Sequence, residues 1–200
     1  MRTGALRILA IFASAACILP AAIAQQPLVI KSLAERKASE LPPGPLFWRI
    51  ENFATPGEAR AAAGEWSLVA ESAGKVWLFT LGRAGASSTG AVKVAEVGPI
   101  PRVAAPQYLL RINEASGAPG SMTSVHAHPG SEAFFVLSGE QSIRSPRGVM
   151  RVRTGQAEAG QGGDVPMQVS SSGPTELHAL VMFVVDATRP FSSPATLPRP

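Results

Sequence analysis

The chain has 200 residues, of which 46% are apolar, a formal net charge of +4 and one cysteine, Cys17. This length suits one domain with additions, and the apolar share is sufficient for a hydrophobic core. The basic residues are scattered rather than clustered, which argues against nucleic-acid binding, and no glycine-rich phosphate loop follows a predicted strand. Because no cysteine lies outside the first 24 residues, the rest of the chain has neither a disulfide framework nor a thiol nucleophile.

The N-terminal residues 1–24 have the pattern of a signal peptide. Two arginines precede an uncharged run over residues 8–19, and Ala22-Ile23-Ala24 follows as a small-residue cleavage site, which predicts cleavage after Ala24. The run is shorter than the ~20 residues that span a bilayer as a helix. We therefore expect export to the periplasm or the medium, with no membrane attachment after cleavage. An uncleaved anchor, or lipidation at Cys17, is the alternative.

Residues 25–106 are predicted to form an N-terminal extension with short helices and added strands. Apolar residues from Leu28 to Ala34 suggest an amphipathic helix that ends at the prolines of residues 41–45. Thr55-Pro56-Gly57-Glu58 is a capping box with proline at the first helical position, so a short helix should cover residues 58–63. Alternation and turn residues predict strands at residues 46–50, 67–71, 75–81 and 92–97.

Residues 107–187 are predicted to form the core domain. Short strands separated by glycine and proline are typical of a β-sandwich or β-barrel. The segment 177–185 is almost continuously apolar, which predicts a strand buried on both faces. The tail, residues 188–200, is rich in proline and should lie extended over the barrel or be disordered. The other strands are predicted at residues 107–112, 132–137, 141–144 and 149–153.

Within this core, residues 120–139 contain a candidate metal site. His126 and His128 are two residues apart, so on a strand both imidazoles point to one face, and Glu132 follows across a Pro129-Gly130 turn. Two imidazoles and one carboxylate form a ligand set for divalent transition metals. A buried polar cluster without metal is the alternative, although an ion would neutralise the charge that such burial makes unfavourable.

The spacing of these residues, G-x5-H-x-H-x3-E-x6-G, resembles the first conserved motif of the cupin superfamily. The resemblance covers roughly residues 107–187. It implies an all-β fold, an antiparallel double-stranded β-helix or jelly-roll barrel. It also implies that His126, His128 and Glu132 bind a divalent transition metal, which the sequence does not narrow beyond Fe, Mn, Ni, Co, Cu or Zn. A single barrel with a decorated N-terminus is favoured over two barrels, because residues 46–98 contain no second His-x-His pattern.

The second cupin motif is degraded, since Pro166 stands where the usual fourth ligand, a histidine, is expected. Either three protein ligands leave open positions for water, substrate or dioxygen, or metal affinity has been lost. His178, Gln168 and Asp164 are weak replacement candidates. The residues near the motif that could orient the imidazoles are Gln141, Arg111 and Ser138.

Three functions remain open from the sequence. The first is a metal-binding cupin with a small organic ligand or substrate, which as an enzyme would be a dioxygenase-like oxidoreductase by analogy. The second is a binding or sensing protein without catalysis. A nucleotide-sugar isomerase is disfavoured, because both histidines are assigned as ligands and export separates the protein from such substrates. Cupins often dimerise through sheet edges, so a homodimer is also open.

Overall fold

The computed structural model describes residues 26–198, so the predicted signal peptide lies outside the described part of the chain. Strands make up 55% of the chain and helix only 4%, which confirms the all-β prediction. Within the described residues, no helix has the length and apolar character needed to cross a membrane. The elements are β1 Val29–Ala38, β2 Leu46–Phe53, α1 Pro56–Ala62, β3 Ser67–Ser72, β4 Lys75–Gly82, β5 Val92–Ile100, β6 Tyr108–Gly117, β7 His126–Ala127, β8 Gly130–Ser138, β9 Glu140–Ser145, β10 Gly148–Arg153, β11 Ala157–Ala159, β12 Gln168–Ser171, β13 Leu177–Asp186 and β14 Ser193–Pro194.

The strands form antiparallel sheets that stack in three layers. The central layer has five strands in the order β1-β6-β13-β8-β11. One of its faces packs against a four-stranded sheet, β3-β4-β2-β5, and the other faces the three-stranded sheet β10-β9-β12. The segment that contains His126 and His128, residues 120–129, is called the histidine segment. Two isolated bridges, from Met122 to Ser170 and from His126 to Met167, join it to β12 and to the residue before β12. The central sheet and the β9 sheet thus form the two walls of the predicted barrel.

Two hydrophobic cores lie on opposite faces of the central sheet. On β13, Leu180 and Met182 point toward the four-stranded sheet, whereas Val181 and Phe183 point into the barrel. All four are buried, and this alternation confirms that the strand is buried on both faces. The core between the sheets contains the large aromatic residues of the N-terminal half, Trp48, Trp77 and Phe79.

The helix predicted over residues 28–34 is wrong, because this segment is strand β1. It pairs antiparallel with β6 from Val29 to Ala38, with a register shift between Ser32 and Ala34. That irregularity leaves Leu33 and Ala34, adjacent in sequence, both partly buried against the core. The apolar spacing therefore resembled a helix, although β1 is an edge strand stabilised by its main-chain bonds to β6.

The second predicted helix is confirmed. Thr55 is its N-cap, and the Thr55 hydroxyl accepts a bond from the Glu58 backbone N–H, while the Glu58 carboxylate accepts one from the Thr55 N–H. Pro56 occupies the first turn, where its missing N–H costs nothing. Helix α1 lies on the outer face of the four-stranded sheet, with Ala59 packed against Leu78.

The tail takes the extended course that was one of its two predicted states. Strand β14 pairs antiparallel with β7, so that Ser193 lies opposite Ala127 and Pro194 opposite His126. The tail therefore crosses the barrel at the histidine segment.

Candidate ligand and metal site

A cavity of about 250 Å³ lies between the two barrel sheets. Its apolar wall comes from β8, β12 and β13, with Phe134, Val169, Val181 and Phe183 facing inward. Polar side chains from both sheets and from the histidine segment share the same space. They are Asn113, Thr123, Ser124, His126, His128, Glu132, Gln141 and Ser192.

Both predicted histidines line this cavity. The His126 backbone exchanges two hydrogen bonds with Met167, at 2.9 and 2.8 Å, which fixes its position beside β12. The ring centroids of His126 and His128 are 4.9 Å apart. His128 is buried and packs between Phe183 and Phe191, each with its ring centroid 4.8 Å away. The prediction that the two imidazoles share one face is thus met, although strand β7 is only two residues long.

Backbone carbonyls fix the protonation pattern of both imidazoles. Nδ1 of His126 lies 2.9 Å from the Ser124 carbonyl oxygen, and Nδ1 of His128 lies 2.7 Å from that of Phe191. A carbonyl oxygen only accepts, so each Nδ1 carries the proton. In the neutral ring this leaves Nε2 with a free lone pair, the form in which histidine binds metals.

Glu132 lies on β8 in the wall of the same cavity. Its side chain is buried, and its Oε1 atom has no hydrogen-bond partner in the described protein. Gly160 covers the side chain so closely that a Cβ atom at residue 160 would lie 2.6 Å from Glu132 Cγ. Burial raises the pKa of Glu132 to about 8, although a hydrogen bond from the Gln161 backbone N–H acts in the opposite direction.

The donor chemistry of these three residues fits a divalent transition metal: two Nε2 lone pairs and one carboxylate oxygen without a protein partner. However, within residues 26–198 no group of three or more His, Cys, Asp or Glu side chains is arranged to hold a metal ion. His126, His128 and Glu132 share a cavity without forming a preassembled coordination sphere. Their assignment as ligands stays a prediction.

The candidates for a fourth ligand lie outside the cavity lining. His178 Nε2 is 2.9 Å from Glu114 Oε1, on the face of β13 that points toward Ser72 of the N-terminal sheet. Asp164 forms an ion pair with Arg189, and the Gln168 amide donates to the Thr123 carbonyl oxygen. Pro166 precedes Met167, the residue paired with His126.

Of the three residues predicted to orient the imidazoles, one lines the cavity and two do not. Gln141 lines the cavity, whereas Ser138 donates to the Glu176 carbonyl oxygen away from it. The Arg111 guanidinium lies 4.2 Å above the Phe191 ring. Burial is the main reason that the pKa of His128 is lowered to about 4; the hydrogen bond to the Phe191 carbonyl opposes this shift, and the charges of His126 and Arg111 add to it. The imidazoles are oriented by the backbone carbonyls of Ser124 and Phe191.

Sequence reasoning missed Asn113, Phe183, Phe191 and Ser192 as cavity residues. Asn113 has a signal that was available, because it alternates with Leu110 and Ile112, which are buried on the opposite face of the sheet. Phe191 has none, since its contact with His128 joins residues 63 apart in the chain and depends on the path of the tail.

No protein-family model matches the sequence, and no curated protein matches it. Similar solved structures do exist. One is a cupin superfamily protein from Desulfitobacterium hafniense, with 17% identity over 38% of this chain and 68% of that one, and a TM-score of 0.35. The solved structures that this chain resembles include cupins, as the first motif predicted.

Two further similar structures are a protein with a double-stranded β-helix domain and an enzyme. A protein with a double-stranded β-helix domain from Klebsiella pneumoniae is 21% identical over 44% of this chain and 75% of that one, with a TM-score of 0.37. The DMSP lyase DddQ from Ruegeria pomeroyi is 21% identical, with 43% of each chain matched and a TM-score of 0.37. The match thus spans less than half of the lyase. The barrel assignment rests on the strand order and the facing sheets of this chain.

We expect the opposed pKa shifts to produce a pH dependence of stability in the chelator-treated protein. The folded state keeps the Glu132 proton that the unfolded chain loses above pH 4.5, so stability should fall as pH rises from 4.5 to about 8. His128 has a depressed pKa, so its contribution is lost as pH falls from 6.5 to about 4. Between pH 6.5 and 8 the Glu132 effect acts alone, at up to ~1.4 kcal/mol per pH unit.

Denaturant unfolding at several pH values measures this effect. Glu132→Gln should abolish the loss of stability between pH 6.5 and 8, whereas Glu158→Gln, at an exposed position on β11, should retain it. An unchanged slope in Glu132→Gln would show that the buried carboxyl is not the group responsible.

Proposed function

We propose that the barrel cavity binds a small organic molecule next to a divalent transition metal held by His126, His128 and Glu132. The observation that carries the proposal is that these three side chains line one cavity and both imidazoles have Nδ1 bound to a carbonyl oxygen. A bound metal would supply Lewis-acid or redox chemistry at this place. The chain's own residues would hold the ion, keep each ring in one tautomer and surround the ligand with apolar walls.

The chemistry would be that of a metal-dependent oxidoreductase of the dioxygenase type, if the protein is an enzyme. Three protein ligands leave coordination positions for a substrate and a second small molecule. Pro166 supports this use of three ligands, because it cannot replace the usual histidine. The metal remains one of Fe, Mn, Ni, Co, Cu or Zn.

A second function, binding or sensing without catalysis, is favoured by the composition of the cavity wall. Among the described lining residues, the titratable side chains are His126, His128 and Glu132, all three assigned as ligands. No further described acid or base therefore faces the cavity to transfer a proton. The small-molecule ligand is common to both functions, and the role of the metal distinguishes them.

Metal content tests the ligand assignment. After supplementation with transition metals, the purified protein should contain one ion per chain by elemental analysis. His126→Gln and Glu132→Gln should each weaken metal binding by more than ~100-fold, exceeding the ~10–100-fold typical of losing a residue that only orients a ligand. His178→Gln is the matched control, because His178 lies outside the cavity, and it should keep full occupancy. Substoichiometric metal in the wild type would refute the site.

A thermal-shift screen with small acids and sugars, with and without EDTA, tests which function applies. A ligand at ~100 times its Kd adds about 2.7 kcal/mol of stability, which corresponds to about 5–10 °C in Tm for a domain of this size. For the metal-dependent function, EDTA should abolish most of this shift. A shift that persists unchanged after chelation would contradict that function and favour the metal-independent binder.

We also propose that the chain is exported and cleaved after Ala24, on the basis of the sequence pattern of residues 1–24. N-terminal sequencing of protein recovered from the periplasm or the medium should begin at Gln25. A chain that begins at Met1, or that carries a lipid on Cys17, would contradict cleavage at this position.

A further inference from the structure

Two amide side chains in the cavity wall have polar atoms without a protein partner. Gln141, on β9, is fully buried, and neither its Oε1 nor its Nε2 forms a hydrogen bond within the described protein. Asn113, on β6, is 4% exposed, and its Oδ1 also has no partner. The two residues come from the two opposite sheets of the barrel and line the same cavity.

Packing gives no reason for amides at these positions. Ile143 is the inward neighbour of Gln141 along β9, and Ala115 is one of the two inward neighbours of Asn113 along β6; both lie in the apolar barrel core. The other neighbour of Asn113 is Arg111, whose guanidinium pairs with Glu35 and stacks on Phe191. A buried polar group without a partner destabilises the folded state, and almost all buried polar groups in proteins are paired. Because both amides line the cavity, a molecule inside it could supply the partners that the protein does not.

The size of the cavity limits that molecule. An apolar cavity of ~150 Å³ is sufficient for benzene, and this cavity measures about 250 Å³. One ring with a short substituent therefore fits. The walls suit a ring, because Phe134, Val181 and Phe183 present apolar surface on one side.

The charge and hydrogen bonding of the wall define the substituent. Among the described lining residues there is no lysine or arginine, and the charge of the neighbouring Arg111 is already paired with Glu35, so the lining offers an anionic ligand no free side-chain cation. An amide offers both donors and an acceptor, and a hydroxyl group can accept from one amide while donating to another. An uncharged ligand with a hydroxyl substituent satisfies both walls.

We propose that Gln141 and Asn113 are specificity-determining residues that bind the hydroxyl group of a small, uncharged, single-ring ligand. This inference rests on the proposed small-molecule function of the cavity, and it assigns the polar end of the ligand to the two amides. It does not depend on the metal. The amides select the hydroxyl-bearing ligand over a ring of the same shape without that group.

Isothermal titration with three probes tests this selection on the mature chain after chelator treatment, so that no metal can bind the hydroxyl. The probes are phenol, toluene, which lacks the hydroxyl, and benzoate, which is charged. The wild type should bind phenol at least ~10-fold more tightly than toluene, because a site built for a hydroxyl leaves its own groups unpaired with the analogue. Benzoate should bind more weakly than phenol.

Gln141→Leu should reduce the preference for phenol over toluene to within ~2-fold while keeping toluene binding. A general loss of structure would weaken both probes together, so this change in ratio is not expected from a merely structural role. Without ligand, the Tm of Gln141→Leu should equal or exceed that of the wild type, since a polar group without a protein partner is removed. Asn113→Leu should reduce the preference in the same direction.

Asn52→Leu is the matched control, because the Asn52 amide donates to the Val76 carbonyl oxygen in the N-terminal sheet, away from the cavity. It should keep the wild-type preference for phenol. Equal binding of phenol and toluene by the wild type, or an unchanged preference in both leucine variants, would overturn the role of the amides and leave the cavity function intact. Failure of the chelator-treated wild type to bind any of the three probes would overturn the assignment of the amides to a hydroxyl-bearing ring, whereas the metal-dependent function, in which chelation abolishes ligand binding, would be left intact.

Discussion

The structure depends on the burial of both faces of the five-stranded sheet. On β13, Leu180 and Met182 pack against the N-terminal sheet, and their neighbours Val181 and Phe183 form the cavity wall. A shift of one residue in strand register would exchange the two sets, so packing on one face fixes which side chains the cavity receives. The shape of the cavity is therefore set in part by residues that never contact it.

The N-terminal half acquires a role from this arrangement. Leu110 and Ile112 of β6 are fully buried because the four-stranded sheet covers them, while Asn113 on the same strand faces the barrel. Without that covering sheet, the central sheet would present a large apolar face to water. The added strands thus serve as the support behind one wall of the cavity rather than as a second barrel.

The sequence predicts the parts of the molecule that are determined locally. The capping box at Thr55 specifies α1, because both of its hydrogen bonds join residues three apart. The spacing from His126 to Glu132 places all three side chains around one cavity, because a short strand, a turn and a longer strand suffice to bring them there. Strand β1 was misread because an irregular edge strand can present apolar residues at helical spacing.

Two features of the site do not follow from the sequence pattern alone, for different physical reasons. The Phe191 carbonyl that orients His128 reaches it only because the tail pairs with β7, and no local pattern encodes a contact across 63 residues. The alternation of polar and apolar residues places Gln141 and Asn113 inside the barrel. It predicts an apolar residue at such a position and gives no reason for an amide.

The amides at positions 113 and 141 destabilise the fold, so their presence points to a role in the chemistry of the cavity. Leucine at either position would remove a buried polar group whose missing partner costs about 1–3 kcal/mol, a substantial part of the stability of an ordinary domain. Sequences that satisfy only the fold avoid such conflicts, and the places where they persist are typically functional. Glu132 shows the same conflict, with a buried oxygen that has no protein partner. Three such residues, from three different strands, surround one cavity, which is the arrangement that the proposed binding of a small molecule requires.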